Sequence, residues 1–173
     1  YISETITGSY SVSLSKNRFY DFWYDYSLVA KDNSKVHLII RALVGPVLLG
    51  YLLNNAKGFF YIFSTGFLLN HIDGRNYEFS YIKGKNKKLV CLFVGNDIRS
   101  LKKMIKYSKD NKFELAANYY YLFSPALLLD DYDNLKKLIA IAADQHADLV
   151  FNFEFDQMSY LKRDTFPMYY FYP

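Results

Sequence analysis

The sequence lacks most of the features that would announce a function outright. It holds one cysteine in 173 residues, Cys91, so no intrachain disulfide can form. The thiol lies inside the apolar run Leu89-Val90-Cys91-Leu92-Phe93-Val94, where a buried, inert side chain is expected. The missing disulfide framework leans toward a reducing, cytoplasmic compartment, although a chain of this length can build a core without bridges anywhere. There is no Asn-x-Ser/Thr acceptor and no charged-then-apolar secretory leader, and the chain opens at Tyr1. An excised domain or processed product is the expectation.

Long apolar runs are also missing. A membrane-crossing helix needs about 20 apolar residues, and the two candidates, 42–53 and 58–69, are 12 residues each, separated by Asn54-Asn55-Ala56-Lys57. Extending the first back to Val36 takes in Arg41. Runs of that length read as buried strands or core helices, so a membrane span is not expected.

The signatures of catalysis are absent as well. No Gly-x-Ser-x-Gly elbow, His-x-x-x-His pair or Glu-x-x-His pair occurs. His37, His71 and His146 stand apart from one another, and His71-Ile72-Asp73 coincides with a turn. Gly95-Asn96-Asp97 lacks the further glycines of a phosphate loop, and its Asp97 would repel a phosphate. The cluster Asp130-Asp131-Asp133 reads as capping and as favourable charge at a helix start, not as a cation loop. These absences lead to the expectation of a non-catalytic protein with no cofactor and no metal.

What the chain does have is apolar and aromatic bulk. It is 51% hydrophobic and 22% charged, with 18 Tyr and 15 Phe, which excludes a disordered segment. Residues 19–28 alternate, with Tyr20, Phe22, Tyr24, Tyr26 and Leu28 on one face and Phe19, Asp21, Trp23, Asp25 and Ser27 on the other. Residues 2–14 read as the partner arm of a hairpin through Ser15-Lys16-Asn17. Strands follow at 36–44, 47–53, 59–70, 75–82 and 88–94, punctuated by Gly45-Pro46, by Asp73-Gly74 as a type I′ hairpin turn, and by Gly84-Lys85-Asn86.

Past Gly95 the pattern changes. Asp97 caps a helix whose inner face is Ile98, Leu101, Ile105 and Ser108, and 113–123 leans to strand. Asp131 or Asp133 then caps a second helix with Tyr132, Leu135, Leu138, Ile139 and Ala142 inward. Residues 148–156 alternate with Phe151, Phe153 and Phe155 inward and Asn152, Glu154 and Asp156 outward, and 166–172 form a last strand in which Pro167 suits an edge. The expected fold class is α+β: an antiparallel β-meander of about seven strands over 1–95, then a mixed α/β segment with two helices over 96–173, as one compact unit.

Two surfaces are candidates for binding. Residues 83–112 carry ten basic and two acidic side chains, so the net charge of +4 conceals a local excess of +8. Lys83, Lys85, Lys87, Lys88, Arg99, Lys102, Lys103 and Lys106 are the expected patch, suited to an anionic ligand or to sequence-independent nucleic-acid contact. Lys outnumbers Arg 16 to 5, which argues against base-specific reading. The aromatic surplus marks Tyr20, Trp23 and Tyr24 as a protein-facing surface. The function expected is a binding or assembly module of a larger chain or complex, with a protein partner or a second copy of itself. A phosphate-ligand or nucleic-acid-associated domain is the alternative, and membrane association through 42–69 is a third reading.

Overall fold

In a computed structural model of the chain, the residues described are 7–13, 24–28, 35–62, 66–68, 73–94, 97–112, 130–153 and 160–168. The chain divides into two compact units, Tyr1–Asn55 with Thr65–Leu69, and Ala56–Ser64 with Asn70–Pro173. The boundary expected at 95/96 falls inside the second.

In the first unit, β1 (Val12–Ser13) pairs with β2 (Tyr26–Ser27) in parallel, Val12 opposite Tyr26 and Ser13 opposite Ser27. A hairpin joins antiparallel strands, so the parallel pairing excludes the hairpin expected here. Asp25 secures the pair by accepting from Ser11 N at 2.6 Å and Ser11 Oγ at 2.8 Å. Those bonds to Ser11 hold its carboxyl below the ordinary value.

Helix α1 (Lys35–Asn55) runs unbroken for 21 residues through Gly45-Pro46, where two strands were expected. Pro46 removes one helical N–H and crowds the carbonyl a turn earlier, but its fixed φ suits a helix. Good helix formers on both sides, among them Leu38, Ala42, Leu43, Leu48, Leu49, Leu52 and Leu53, outweigh that cost. A bend at 66–68 lies against the helix. A Cβ placed on Gly45 would meet the Phe67 carbonyl oxygen at 2.1 Å, so only glycine permits the approach. Arg41 Nη2 donates to the Gly66 carbonyl at 2.8 Å.

The second unit contains β3 (Gly58–Ile62), α2 (Asn76–Gly84), β4 (Lys88–Leu92), α3 (Leu101–Asn111), α4 (Asp130–His146), β5 (Leu149–Asn152) and β6 (Phe166–Pro167). Its four strands form one all-parallel sheet in the order β3-β4-β5-β6. The fold is therefore α+β with four helices and two small parallel sheets among the described residues, and the antiparallel seven-strand meander is not present among them. Parallel neighbours require crossovers. Helix α2 lies between β3 and β4 in the chain, and α3 and α4 lie between β4 and β5.

The segment after β3 shows how the expectation failed. Gly74 and Arg75 take positive φ, +58° and +79°, one residue later than the Asp73-Gly74 pair expected to form a type I′ turn, and the chain then enters α2 and not a strand. Asp73 decides this: its Oδ1 accepts from Arg75 N at 3.1 Å and its Oδ2 from Tyr77 N at 2.8 Å, satisfying donors at the helix start. Within α2, Glu78, Phe79 and Ile82 are buried, a helical spacing hidden beneath the alternating Tyr77, Phe79 and Tyr81.

Other corrections are local. The N-cap of α3 is Ser100, whose Oγ accepts from Lys103 N at 3.2 Å, while Asp97 Oδ2 accepts from Val94 N at 2.8 Å in the preceding turn. Of the expected inner face of α3, Ile98, Leu101 and Ser108 are buried and Ile105 is half-buried. On α4, Leu138 is exposed and Lys136, Ile139, Ala140, Ala142 and Ala143 face inward. In β5 the phase is inverted, because Val150 and Asn152 are buried and Leu149 is exposed. Pro167 does lie in the edge strand. The core centres on a buried aromatic cluster, with Tyr61 edge-on to Phe79 at 5.1 Å and Phe59 and Phe93 also buried. Residues 14–23, 113–123 and 154–156, for which strand or turn was expected, lie outside the described residues.

Candidate functional site

Successive residues of a helix turn by about 100°, so Ile39, Leu43, Val47 and Tyr51 fall on one line of α1. They are 59%, 68%, 72% and 56% exposed, and Ile40 and Val44 beside them are exposed too. The opposite side carries Gly45, Leu49 and Leu52, all buried. A helix lying between a core and water normally puts charge on its open side, but no charged residue occurs from Ala42 to Ala56. The 18 residues Leu38–Asn55 are long and apolar enough to cross a membrane by length and composition, and no second helix of that kind occurs among the described residues.

Among the described residues, the main polar clusters of the second unit serve to tie its elements together. Glu78, wholly buried, accepts from Tyr61 Oη and pairs with Arg75 Nη1 at 3.4 Å. Burial, followed by the Glu78 charge, pushes the Tyr61 phenol well above its ordinary pKa. A phenol that stays protonated beside a carboxylate already bonded to it ties β3 to α2 and leaves no reactive group open.

Ser100 Oγ donates to Asp133 Oδ1 at 2.5 Å, Tyr160 Oη donates to Asp133 Oδ2, and Lys103 Nζ sits 3.9 Å above the Tyr160 ring. A serine held by a carboxylate with no imidazole between them is not an activated nucleophile. The cluster instead clips the start of α3 to the first turn of α4. His146 shares a hydrogen bond with Asn76 Oδ1 at 2.8 Å, and burial followed by the Lys83 charge lowers its pKa. Cys91 is buried as expected, its thiol pushed up to about 12 by desolvation.

Asp148 is the hub at the amino ends of β4 and β5. It accepts from Lys83 Nζ and from Leu89 N, both at 2.7 Å, with Lys88 Nζ at 3.6 Å. The Lys83 hydrogen bond, then that of Leu89, lowers its pKa to about 2.

The expected cationic patch is divided by this architecture. Lys83, Lys85, Lys87 and Lys88 lie before or at the start of β4, whereas Arg99, Lys102, Lys103 and Lys106 follow its far end, five strand residues and about 16 Å later. Several are already occupied: Lys83 and Lys88 by Asp148, Lys102 by Asp130, Lys103 by Tyr160, and Lys85 over the Tyr81 ring at 5.9 Å. Lys87 is half-buried, and Lys106 is exposed on α3. Tyr20 and Trp23 lie outside the described residues, and Tyr24 is half-buried in the first unit.

Two features escaped the sequence reading. Lys136 is buried, with its ammonium 4.8 Å above the Tyr132 ring and its pKa lowered by desolvation against the opposing pull of Asp97. Its place on the i, i+4 line from Tyr132 to Ala140 was the available signal. The other is the α1 face, which exists only once 35–55 is helical. Among the described residues no group of three or more His, Cys, Asp or Glu side chains could hold a metal ion. Comparison with family models, with curated proteins and with solved structures finds no match.

Proposed function

We propose that the protein is a non-catalytic binding module whose second unit is a folded body and whose α1 supplies a contact surface for an apolar partner. One observation carries this reading: the stripe Ile39-Leu43-Val47-Tyr51 is more than half exposed at every position and has no charge beside it from Ala42 to Ala56. Monomeric proteins seldom leave a contiguous apolar patch of this kind open to water. The alternative of an anionic ligand or nucleic acid draws less support, since Lys83, Lys85, Lys88, Lys102 and Lys103 already have partners inside the fold.

The test is sedimentation velocity of the wild type and of Val47→Lys. The wild type should self-associate in detergent-free buffer or require detergent to stay dispersed. Val47→Lys should be monodisperse with an unchanged thermal midpoint. A wild type that is monodisperse without detergent and shows no affinity for micelles contradicts the proposal.

A further inference from the structure

The uncovered face of α1 has a length, a polarity and a boundary that favour one kind of partner. From Ile39 to Tyr51 the stripe spans twelve residue steps, about 18 Å, and offers no hydrogen-bonding side chain before the Tyr51 hydroxyl. Interfaces between proteins carry a polar rim and roughly one hydrogen bond per 100–200 Å²; this stripe has only the Tyr51 hydroxyl, at one end, with which to make them. Hydrocarbon asks for none. At the carboxyl end of the helix Tyr51, Asn54, Asn55 and Lys57 follow, an amphipathic ring and polar groups of the sort that sit at headgroup level. The chain's net charge of +4 adds a general attraction to anionic headgroups.

The same helix also carries an argument against crossing the membrane. Gly45 is its eleventh residue of 21, and the Phe67 carbonyl lies against that midpoint. A transverse helix would carry the main chain of the 66–68 bend to the bilayer centre, where polar backbone outside helices and barrels is not tolerated against lipid. Arg41, which binds the Gly66 carbonyl, would enter with it. With the helix lying in the plane of the interface, the Ile39-Leu43-Val47-Tyr51 side meets lipid while Arg41, Gly45 and the bend stay on the protein side.

We infer that α1 is an in-plane membrane anchor: its exposed stripe inserts into the headgroup and acyl boundary of an anionic bilayer, and the helix does not cross it. The inference rests on the reading of α1 as a contact surface and names the partner of that surface. Flotation of the purified protein with vesicles of mixed phosphatidylcholine and phosphatidylglycerol tests it. The wild type should float, and Val47→Lys should lower vesicle partitioning about tenfold or more, as an added charge at an inserted position requires. Leu43→Ser serves in place of Val47→Lys if that variant fails to fold. In a Cys91→Ala background, cysteines at Lys35 and Lys57 should both react with an impermeant maleimide added outside preformed vesicles. Labelling of one end alone means a crossing helix and overturns the in-plane geometry. Equal flotation of wild type and variant assigns binding to the lysines elsewhere and overturns the inference. Self-association without flotation overturns the bilayer as partner while leaving the contact surface intact, and a non-floating monodisperse monomer overturns both.

Discussion

Helices α1 and α4 answer to different surroundings. The first turn of α4 holds Asp130, Asp131 and Asp133, charges placed to suit the helix dipole. Its inner side is Ile139, Ala140, Ala142 and Ala143, while Lys137 and Gln145 are exposed. Helix α1 has no acid in its first turn, no base in its last, and a proline inside; it is apolar on the covered side and on the open one. Water has shaped the outer face of α4. The outer face of α1 is apolar from Ile39 to Val47, with Asn54 and Asn55 exposed only in its last turn, so among the described residues it lacks the charged outer side that α4 has.

The comparison breaks first if α4 is not the tightly held helix of the pair. Gly74 has φ +58°, and a Cβ there would lie 2.4 Å from Leu138 C and 2.5 Å from Ile139 N. Gly74→Val should therefore cost about 4 kcal/mol, from strain at a left-handed position and overpacking against α4 backbone. A thermal midpoint near wild type would mean that α4 yields easily. Next in size is a matched pair. Ile139→Ala should cost about 3 kcal/mol as a buried large-to-small change, whereas Val47→Ala should stay within about 0.5 kcal/mol. Equal losses in urea unfolding would make the stripe part of a core and remove the contrast.

A smaller effect concerns the polar hub just past α4. Asp148 titrates at about 2 in the folded chain and near 3.9 when unfolded, so folding favours its ionised form. Its stabilisation is complete above about pH 4 and is lost as pH falls through about 2. The shift corresponds to about 3 kcal/mol, which solvent around a side chain 27% exposed reduces to about 1 kcal/mol. Asp148→Asn should lower stability at pH 7 by that amount and flatten its pH dependence between 4 and 2; an unchanged acid limb would show that Lys83 and Leu89 contribute nothing there.

The parts that could be read in the sequence were those whose local pattern and final environment agree. β3 and β4 lie within runs expected to be strands, burying Phe59 and Tyr61, then Leu89 and Cys91, at alternate positions, and α3 buries Leu101 and Ser108 at helical spacing. Tyr77, Phe79 and Tyr81 satisfy a strand period and a helix equally, and only the capping by Asp73 and the burial of Glu78 choose between them. Gly45-Pro46 looked like punctuation because its use for a close approach to Phe67 is a tertiary fact. Alternation over 148–156 does not say which face is covered, and β5 keeps its alternation in the opposite phase, with Val150 and Asn152 buried and Leu149 exposed. The candidate surface suffered the same way: Ile39, Leu43, Val47 and Tyr51 are spaced for a helix, but the spacing is invisible while 36–53 is divided into two strands.

The smallest prediction bears on α1 alone. Gly50 lies inside the helix, and an added Cβ would meet nothing within 4 Å. Glycine at a helix interior costs up to about 1 kcal/mol relative to alanine through backbone entropy, so Gly50→Ala should raise the thermal midpoint slightly. Gly45→Ala must do the opposite, because its Cβ would strike the Phe67 carbonyl. The two glycines differ by five residues and by one side of the helix, which makes them a probe of which side is occupied. A destabilising Gly50→Ala would place a close neighbour on the flank of the open stripe, and α1 would then be packed like α4 after all.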